Sequence, residues 1–313
     1  MTRRAAAGFA RLLPLLLIAA AVVILVGAAL LAACGGSSNG GSPEPTATVT
    51  ATSSASSSTE PTASPSASPS EAASTTTLRL YFLRDGELGV AERRVPRTAA
   101  IATASLKALL AGPTETEESA GLSTSLADGI KINSLSIEGG VARVDLSSEF
   151  WDSGEGLAEA DSLLPGAQIV YTLTRFPSVR RVAIRVDDEP YPAAGGSSSS
   201  SAEWRRRDFT AFEPAIFVET PGVGAVLSSP FTLSGTAMVF EGSFQARLVD
   251  SSGRRIVNVI MQASAGGPER GTFAKDVPYS TSAKRGTLLV FDQSMEDGSR
   301  QDEVRIPVTF SSD

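Results

Sequence analysis

Between Gly35 and Thr77 the chain is built almost wholly from Gly, Ser, Thr, Pro and Ala, with no aromatic residue and charges only at Glu44, Glu60 and Glu71. Such a stretch cannot bury enough apolar surface to offset the entropy of ordering it. Folding is thereby confined to roughly 235 of the 313 residues, enough for two domains of ordinary size. A second break, Ala193–Glu203 with the sequence AAGGSSSSSAE, divides that remainder. The expected organisation is a leader over 1–33, a disordered tether over 34–77, a first domain over 78–192, a linker over 193–203 and a second domain over 204–313.

The leader has Arg3, Arg4 and Arg11 ahead of an unbroken apolar run from Leu12 to Ala33. A basic start, an apolar stretch and small residues at its end describe a secretory signal. The run is also long enough for an uncleaved helix across a bilayer. Leu31-Ala32-Ala33-Cys34 resembles the bacterial lipobox. That resemblance implies cleavage between Ala33 and Cys34 and transfer of a diacylglyceryl group to the Cys34 thiol. Two acyl chains anchor stably where one is marginal. The expected location is extracytoplasmic, lipid-anchored to the cell membrane.

Charge and composition exclude several function classes. The net charge is −7 and no basic field exists, so nucleic acid is a poor partner. One cysteine cannot make an internal disulfide. Without histidine no Ser-His-Asp or Cys-His triad and no histidine metal site can form. The lysines Lys107, Lys131, Lys275 and Lys284 show no Ser-x-x-Lys spacing on a helix. The acidic clusters Glu115-Glu117-Glu118 and Asp187-Asp188-Glu189 sit at element ends, where solvated charge is the simpler reading than paired catalytic carboxylates. Asp292–Gly298, DQSMEDG, has its glycine one place too late for an EF-hand and reads as a polar hairpin. Gly222-Val223-Gly224 lacks the third glycine and the helix of a phosphate-binding turn. Trp204-Arg205-Arg206-Arg207-Asp208 is the one dense basic stretch. It reads as a junction strand packing Trp204 on a domain, with contact to anionic lipid or wall polymer as the alternative. No catalytic residue, cofactor or metal site is expected.

In the first domain, LRLYFL from Leu78 alternates as a strand, with Leu78, Leu80 and Phe82 on one face, and GVAERRVP ends a second at Pro96. Thr98 is an expected N-cap for a helix through Leu110, stopped by Gly112-Pro113. A hairpin turns at Gly139-Gly140. Pro165 opens a second helix with Ala167, Val170, Tyr171 and Thr174 on one face, and VRRVAIRVDD closes as a strand. The fold class is an α+β sandwich. Leu109-Leu110-Ala111-Gly112-Pro113, Val144-Asp145-Leu146-Ser147 and Gln168-Ile169-Val170-Tyr171-Thr172-Leu173 resemble the GerMN domain of sporulation and germination lipoproteins. The sequence departs from that pattern at Ala127, where proline is common, and at Asp188, where glycine is common. The resemblance implies an envelope module related to ring-building domains of secretion-like channels, and no catalysis.

The second domain shows seven short strand patterns and no helical period, as in an all-β immunoglobulin-like sandwich. Asp250-Ser251-Ser252-Gly253 is a hairpin loop, and Pro307 marks an edge or bulge in the last strand. Pro221-Gly222, Gly224, Ser229-Pro230-Phe231, Gly235, Phe240-Glu241-Gly242 and Asp297-Gly298-Ser299 resemble the immunoglobulin-like domain of bacterial spore germination. The expectation is a non-enzymatic envelope lipoprotein that binds another envelope protein or self-assembles. A module for cell-wall polymer or carbohydrate is the alternative.

Overall fold

The computed structural model describes residues 74–158, 161–191 and 203–311, which belong to one compact unit. The leader, Ala33, Cys34 and the expected tether up to residue 73 lie outside the described residues, as does most of the 193–203 linker. No helix among the described residues is long and apolar enough to cross a membrane.

The first domain opens with a ribbon of β1 (Thr75–Arg84) and β2 (Glu87–Pro96) in unbroken antiparallel register. Helices α1 (Ile101–Leu110) and α2 (Glu115–Ser119) follow, then the hairpin β3 (Ile132–Glu138) and β4 (Val141–Leu146). Helix α3 (Leu164–Leu173) leads to β5 (Arg181–Val186), which runs parallel to β4 and also pairs with the short β6 (Glu189–Pro190) and β7 (Glu203–Trp204). Trp204, expected at the head of the second domain, thus completes a sheet of the first, pairing with Val182.

Two details differ from the pattern in the sequence. Thr98 does not cap α1; its hydroxyl accepts from Ala100 N at 3.2 Å, and the helix begins at Ile101. Helix α3 is not one-sided, since all ten of its residues are buried. It has no charged residue, as befits a helix enclosed on every side, and packs on β1, α1, β5 and the segment Arg206–Phe212.

The buried polar residues of α3 explain why it must sit there. Gln168 Nε2 donates to Tyr81 O at 3.3 Å, and Thr172 Oγ1 accepts from Tyr81 N at 3.2 Å. Four residues apart, these side chains share a helix face and satisfy the outer edge of β1 as a strand would. Further along the same edge, Leu83 exchanges two backbone hydrogen bonds with Ser123, both 2.8 Å.

The second domain packs a three-stranded sheet on a five-stranded one. In chain order its strands are β8 (Ile216–Thr220), β9 (Val226–Leu227), β10 (Phe231–Ala237), β11 (Ser243–Asp250), β12 (Arg255–Gln262), β13 (Gly271–Val277), β14 (Arg285–Gln293) and β15 (Arg300–Phe310). The sheets run β13-β10-β8 and β12-β11-β14-β15-β9. The seven expected strands are present, and the short β9 adds a parallel pair at Thr309 and Phe310. At Pro307 the β9 side of β15 is open, so the missing N–H costs no ladder bond. At Gly235 a Cβ would lie 1.9 Å from Phe217 O, so only glycine lets β10 approach β8 there.

Candidate functional site

The most elaborate polar constellation lies where the two domains meet. Residues 205–214 cross between them and insert one cation and one anion. The Arg206 guanidinium stacks over Tyr81 at 5.0 Å and Tyr171 at 4.7 Å. It donates to Thr174 Oγ1 at 3.0 Å and Tyr171 O at 3.3 Å in the first domain, and to Glu219 at 2.5 Å in the second. The Tyr81 hydroxyl closes the triangle, accepting from Arg206 and donating to Glu219. Glu213 forms the counterpart: it accepts from Tyr171 Oη at 2.5 Å and Thr236 Oγ1 at 2.9 Å, and pairs with Arg270 at 3.2 Å.

Electrostatics keep this joint charged as drawn. Burial penalises the Glu219 carboxylate, but Arg206 and the Tyr81 hydroxyl outweigh that and hold it below the usual range. Burial pushes both Tyr81 and Tyr171 far above the ordinary phenol value, so both remain donors. The rings of Tyr81, Tyr171 and Phe217 pack mutually at 5.4 to 6.1 Å, so the polar joint has an apolar floor.

Beside it the main chains pair directly. Val223 N donates to Val90 O at 2.8 Å, and Glu92 N donates to Val223 O at 2.7 Å. This closes the outer edge of β2. Gly224, at φ +86°, has Glu92 O only 2.7 Å from where a Cβ would stand. The Gly222-Val223-Gly224 run is therefore a docking turn for a neighbouring strand. A cleft of about 260 Å³ opens next to the joint, walled by Leu88, Val90, Ile216, Phe217 and Val304. Glu87 and Asp302 are among its lining residues; burial, then Asp302 and Asp85, raise the Glu87 carboxyl above its ordinary value.

The residues singled out in the sequence scatter over the molecule. Glu117, read as solvated charge, is buried: it accepts from Arg93 at 2.8 Å and closes a capping box with Thr114. Arg93 also donates to Ala108 O at 3.0 Å and Gly112 O at 2.8 Å, capping the end of α1. Asp187 and Asp188 form the turn after β5 at φ +46° and +66°. Asp188 thus replaces glycine in a left-handed position that aspartate tolerates, and its N donates to Asp145 at 2.9 Å. Of Asp292–Gly298, Asp292 and Gln293 end β14 and the remaining residues form a polar turn toward β15. Lys107 lies in the last turn of α1, Lys131 ahead of β3, Lys275 on β13 and Lys284 ahead of β14. Trp204 packs on Phe209 with ring centroids 5.0 Å apart, and Arg206 points into the joint rather than to solvent. Among the described residues no group of three His, Cys, Asp or Glu could hold a metal ion.

Sequence reasoning missed Tyr81, Tyr171, Glu213, Glu219 and Arg270 as a set. The signals were a strand apolar on both faces at Leu80–Leu83 and a helix without charge at α3.

Comparison with known proteins bears on both halves. Residues 79–192 match the family model Germane, described as sporulation and spore germination, and residues 215–299 match Gmad2, the immunoglobulin-like domain of bacterial spore germination. No curated protein matches the chain. Among solved structures, the tandem GerMN domains of the sporulation protein GerM from Bacillus subtilis align at 19% identity and TM-score 0.36, over 67% of this chain and 63% of that one. The first GerMN domain of the same protein aligns at 20% identity and TM-score 0.35, over 42% of this chain and 99% of that one. The chain thus spans under two thirds of the tandem structure. It carries a GerMN domain of the sporulation and spore-germination family, followed by the immunoglobulin-like domain of bacterial spore germination.

Proposed function

We propose that this protein is a membrane-anchored envelope lipoprotein that works by binding and assembly, in sporulation or germination, without chemistry of its own. The observation that carries the reading is the tandem of two germination-family domains, held as one body by paired main chains and a shared polar joint. A rigid two-domain body presents its outer surfaces in fixed relation, which suits an assembly component. Cys34 is the proposed anchor and Ala33–Cys34 the cleavage site. In cells fed a fatty-acid probe, the native chain should take up label and Cys34→Ala should not. Persistent labelling of the variant rules out the anchor. Crosslinking in intact cells should recover the same envelope partner repeatedly, and turnover of wall fragments by the purified protein would overturn the non-enzymatic reading.

One observation favours wall polymer as a second reading. On the outer face of the five-stranded sheet, Arg247, Arg254, Arg255, Arg300 and Arg305 line one groove of about 700 Å³, where Arg254 pairs with Asp250 and both Arg300 and Arg305 pair with Glu303. An arginine groove on a chain of net charge −7 suits a polyanion. Salt-sensitive pelleting with purified anionic wall polymer, lost in Arg247→Glu, would support this reading over a protein partner.

A further inference from the structure

The outer face of the five-stranded sheet is divided along its strands. At the end where β11 begins, Phe240, Ile260 and Met295 line one groove of about 300 Å³. They come from the turn before β11, from β12 and from the turn after β14. At 65%, 67% and 86% exposure they are the three most exposed large apolar side chains among the described residues. Such a cluster marks a contact site. The charged residues in the wall of that groove are Glu241 and Asp292, both acidic. The other end of the face holds the arginine groove, where five arginines stand against the two carboxylates of Asp250 and Glu303. Arg247 bonds Asn258 at 3.0 Å. Arg255 is exposed and has no bonded partner among the described residues. Between the two ends, Gln245 pairs with Ile260 and Phe291, and Arg247 with Asn258 and Leu289. These are neighbouring rows of one face. The β12 edge beside it is closed, since Lys275 Nζ reaches Ile260 O from β13 at 3.1 Å.

We propose that this face is a homodimer interface, covered by the same face of a second copy. The two-fold axis lies in the interface plane, crosses the strands and passes between the Gln245 and Arg247 rows. Such an axis reverses the strand direction, so the acid-lined apolar end of each copy covers the arginine end of the other. Arg255 pairs with Val249, two residues beyond Arg247. It therefore lands over the row of Ser243 and Gln262, two residues before Gln245. Ser243 is in the wall of the apolar groove. The chemistry fits there. The aliphatic stem of arginine lies along Phe240, Ile260 and Met295, and its guanidinium meets Glu241 and Asp292. Each copy carries both the groove and the arginine, so the contact forms twice. Arg247 faces Gln245 of the second copy, so no like charges oppose each other near the axis. Sheets packed face to face lie about 10 Å apart, within reach of a long side chain. Strands β12, β11, β14 and β15 at a spacing of about 4.8 Å, and the eight residues of β11 at about 3.4 Å each, give a face of roughly 20 by 27 Å. Two such faces bury on the order of 1,100 Å², enough for a specific interface. The pairing rests on the face alone and does not depend on the anchor or on a role in germination. A polymer in the arginine groove would exclude it.

The test is charge reversal across the axis. Sedimentation of the full-length chain in detergent should show a monomer–dimer equilibrium. Arg255→Glu alone and Glu241→Arg alone each put like charges at both contacts, and each should weaken dimerisation roughly tenfold or more. An equimolar mixture of the two variants should recover most of the native association, because every contact then joins an acid to a base again. A variant that had merely unfolded could not do this. Glu118→Arg, at an exposed position on α2, should leave the native association unchanged. A native chain that sediments as a monomer at every concentration overturns the proposal. So does a dimer that neither variant weakens, or a loss in both variants that mixing does not reverse.

Discussion

Arg206 is the residue on which the joint turns, because it bonds both domains and stacks on both tyrosines. Its loss leaves Glu219 and the Tyr81 hydroxyl facing each other without the cation that bonds both, and only Arg79 still acts on Glu219 from a distance. The side chain is 30% exposed, so water takes over part of the interaction. Arg206→Ala should cost about 2 kcal/mol in urea unfolding, below the full penalty for breaking a buried pair. Arg206→Lys should recover little, since an ammonium cannot stack and fork together. Asp250 sets a pH dependence of its own. Hydrogen bonds from Ser252 and then Arg254 hold its carboxyl down to about 2. A folded value below the unfolded one means the stabilisation is complete above about pH 4 and fades as pH falls toward about 2. Thermal midpoints followed from about pH 5 downward should drop more steeply for the native chain than for Asp250→Asn. The hairpin around Asp250 was legible from Asp-Ser-Ser-Gly alone, because turn chemistry is local. The direction of Arg206 was not: three arginines in a row look alike until the tertiary structure places Glu219 and two aromatic faces against one of them.

At the scale of elements, α3 acts as a substitute strand. Thr172→Val keeps its shape but removes the acceptor for Tyr81 N in a buried site. Unfolding free energy should fall by about 1–3 kcal/mol. A smaller loss in guanidinium titration would mean that Tyr81 N finds another acceptor. The GerMN pattern in the sequence contained Gln168 and Thr172, and Pro165 with the spacing of the apolar residues after it placed them on a helix. Periodicity could not say that this helix is enclosed, because Ala167, Val170 and Tyr171 mark one apolar face while Gln168 and Thr172 look like the wet one. Their hydrogen bonds to β1 resolve that conflict. The strands of the second domain were more legible, since each alternates over a half-buried sheet face and is bounded by turn residues. The two-residue β9 carries no alternation and is visible only from its pairing.

For the whole molecule, the division at the Gly/Ser break suggested two separate bodies, and the structure joins them. The join uses Val223 main chain, which no side-chain pattern reports, together with side chains from a segment that reads as junction. Gly224→Ala puts a methyl within 2.7 Å of Glu92 O at a left-handed position. The variant should keep both domains folded but loosen their contact. Limited proteolysis within residues 205–214 should speed up, and a single unfolding transition should separate into two. A variant as protease-resistant as the native chain would mean that the joint holds without the Val223 pairing.

The closed edges of the β1–β2 ribbon have a mechanical consequence. The described chain enters the fold at Thr75, the first residue of β1. A pull along β1 from that end meets ten register pairs to β2, the Ser123 clasp and the two α3 side chains at Tyr81 together. Load is therefore shared in shear along the strand rather than peeled off one bond at a time. β2 passes part of it through Val223 into the second domain. A body held by its N-terminal end would bear tension as a single piece.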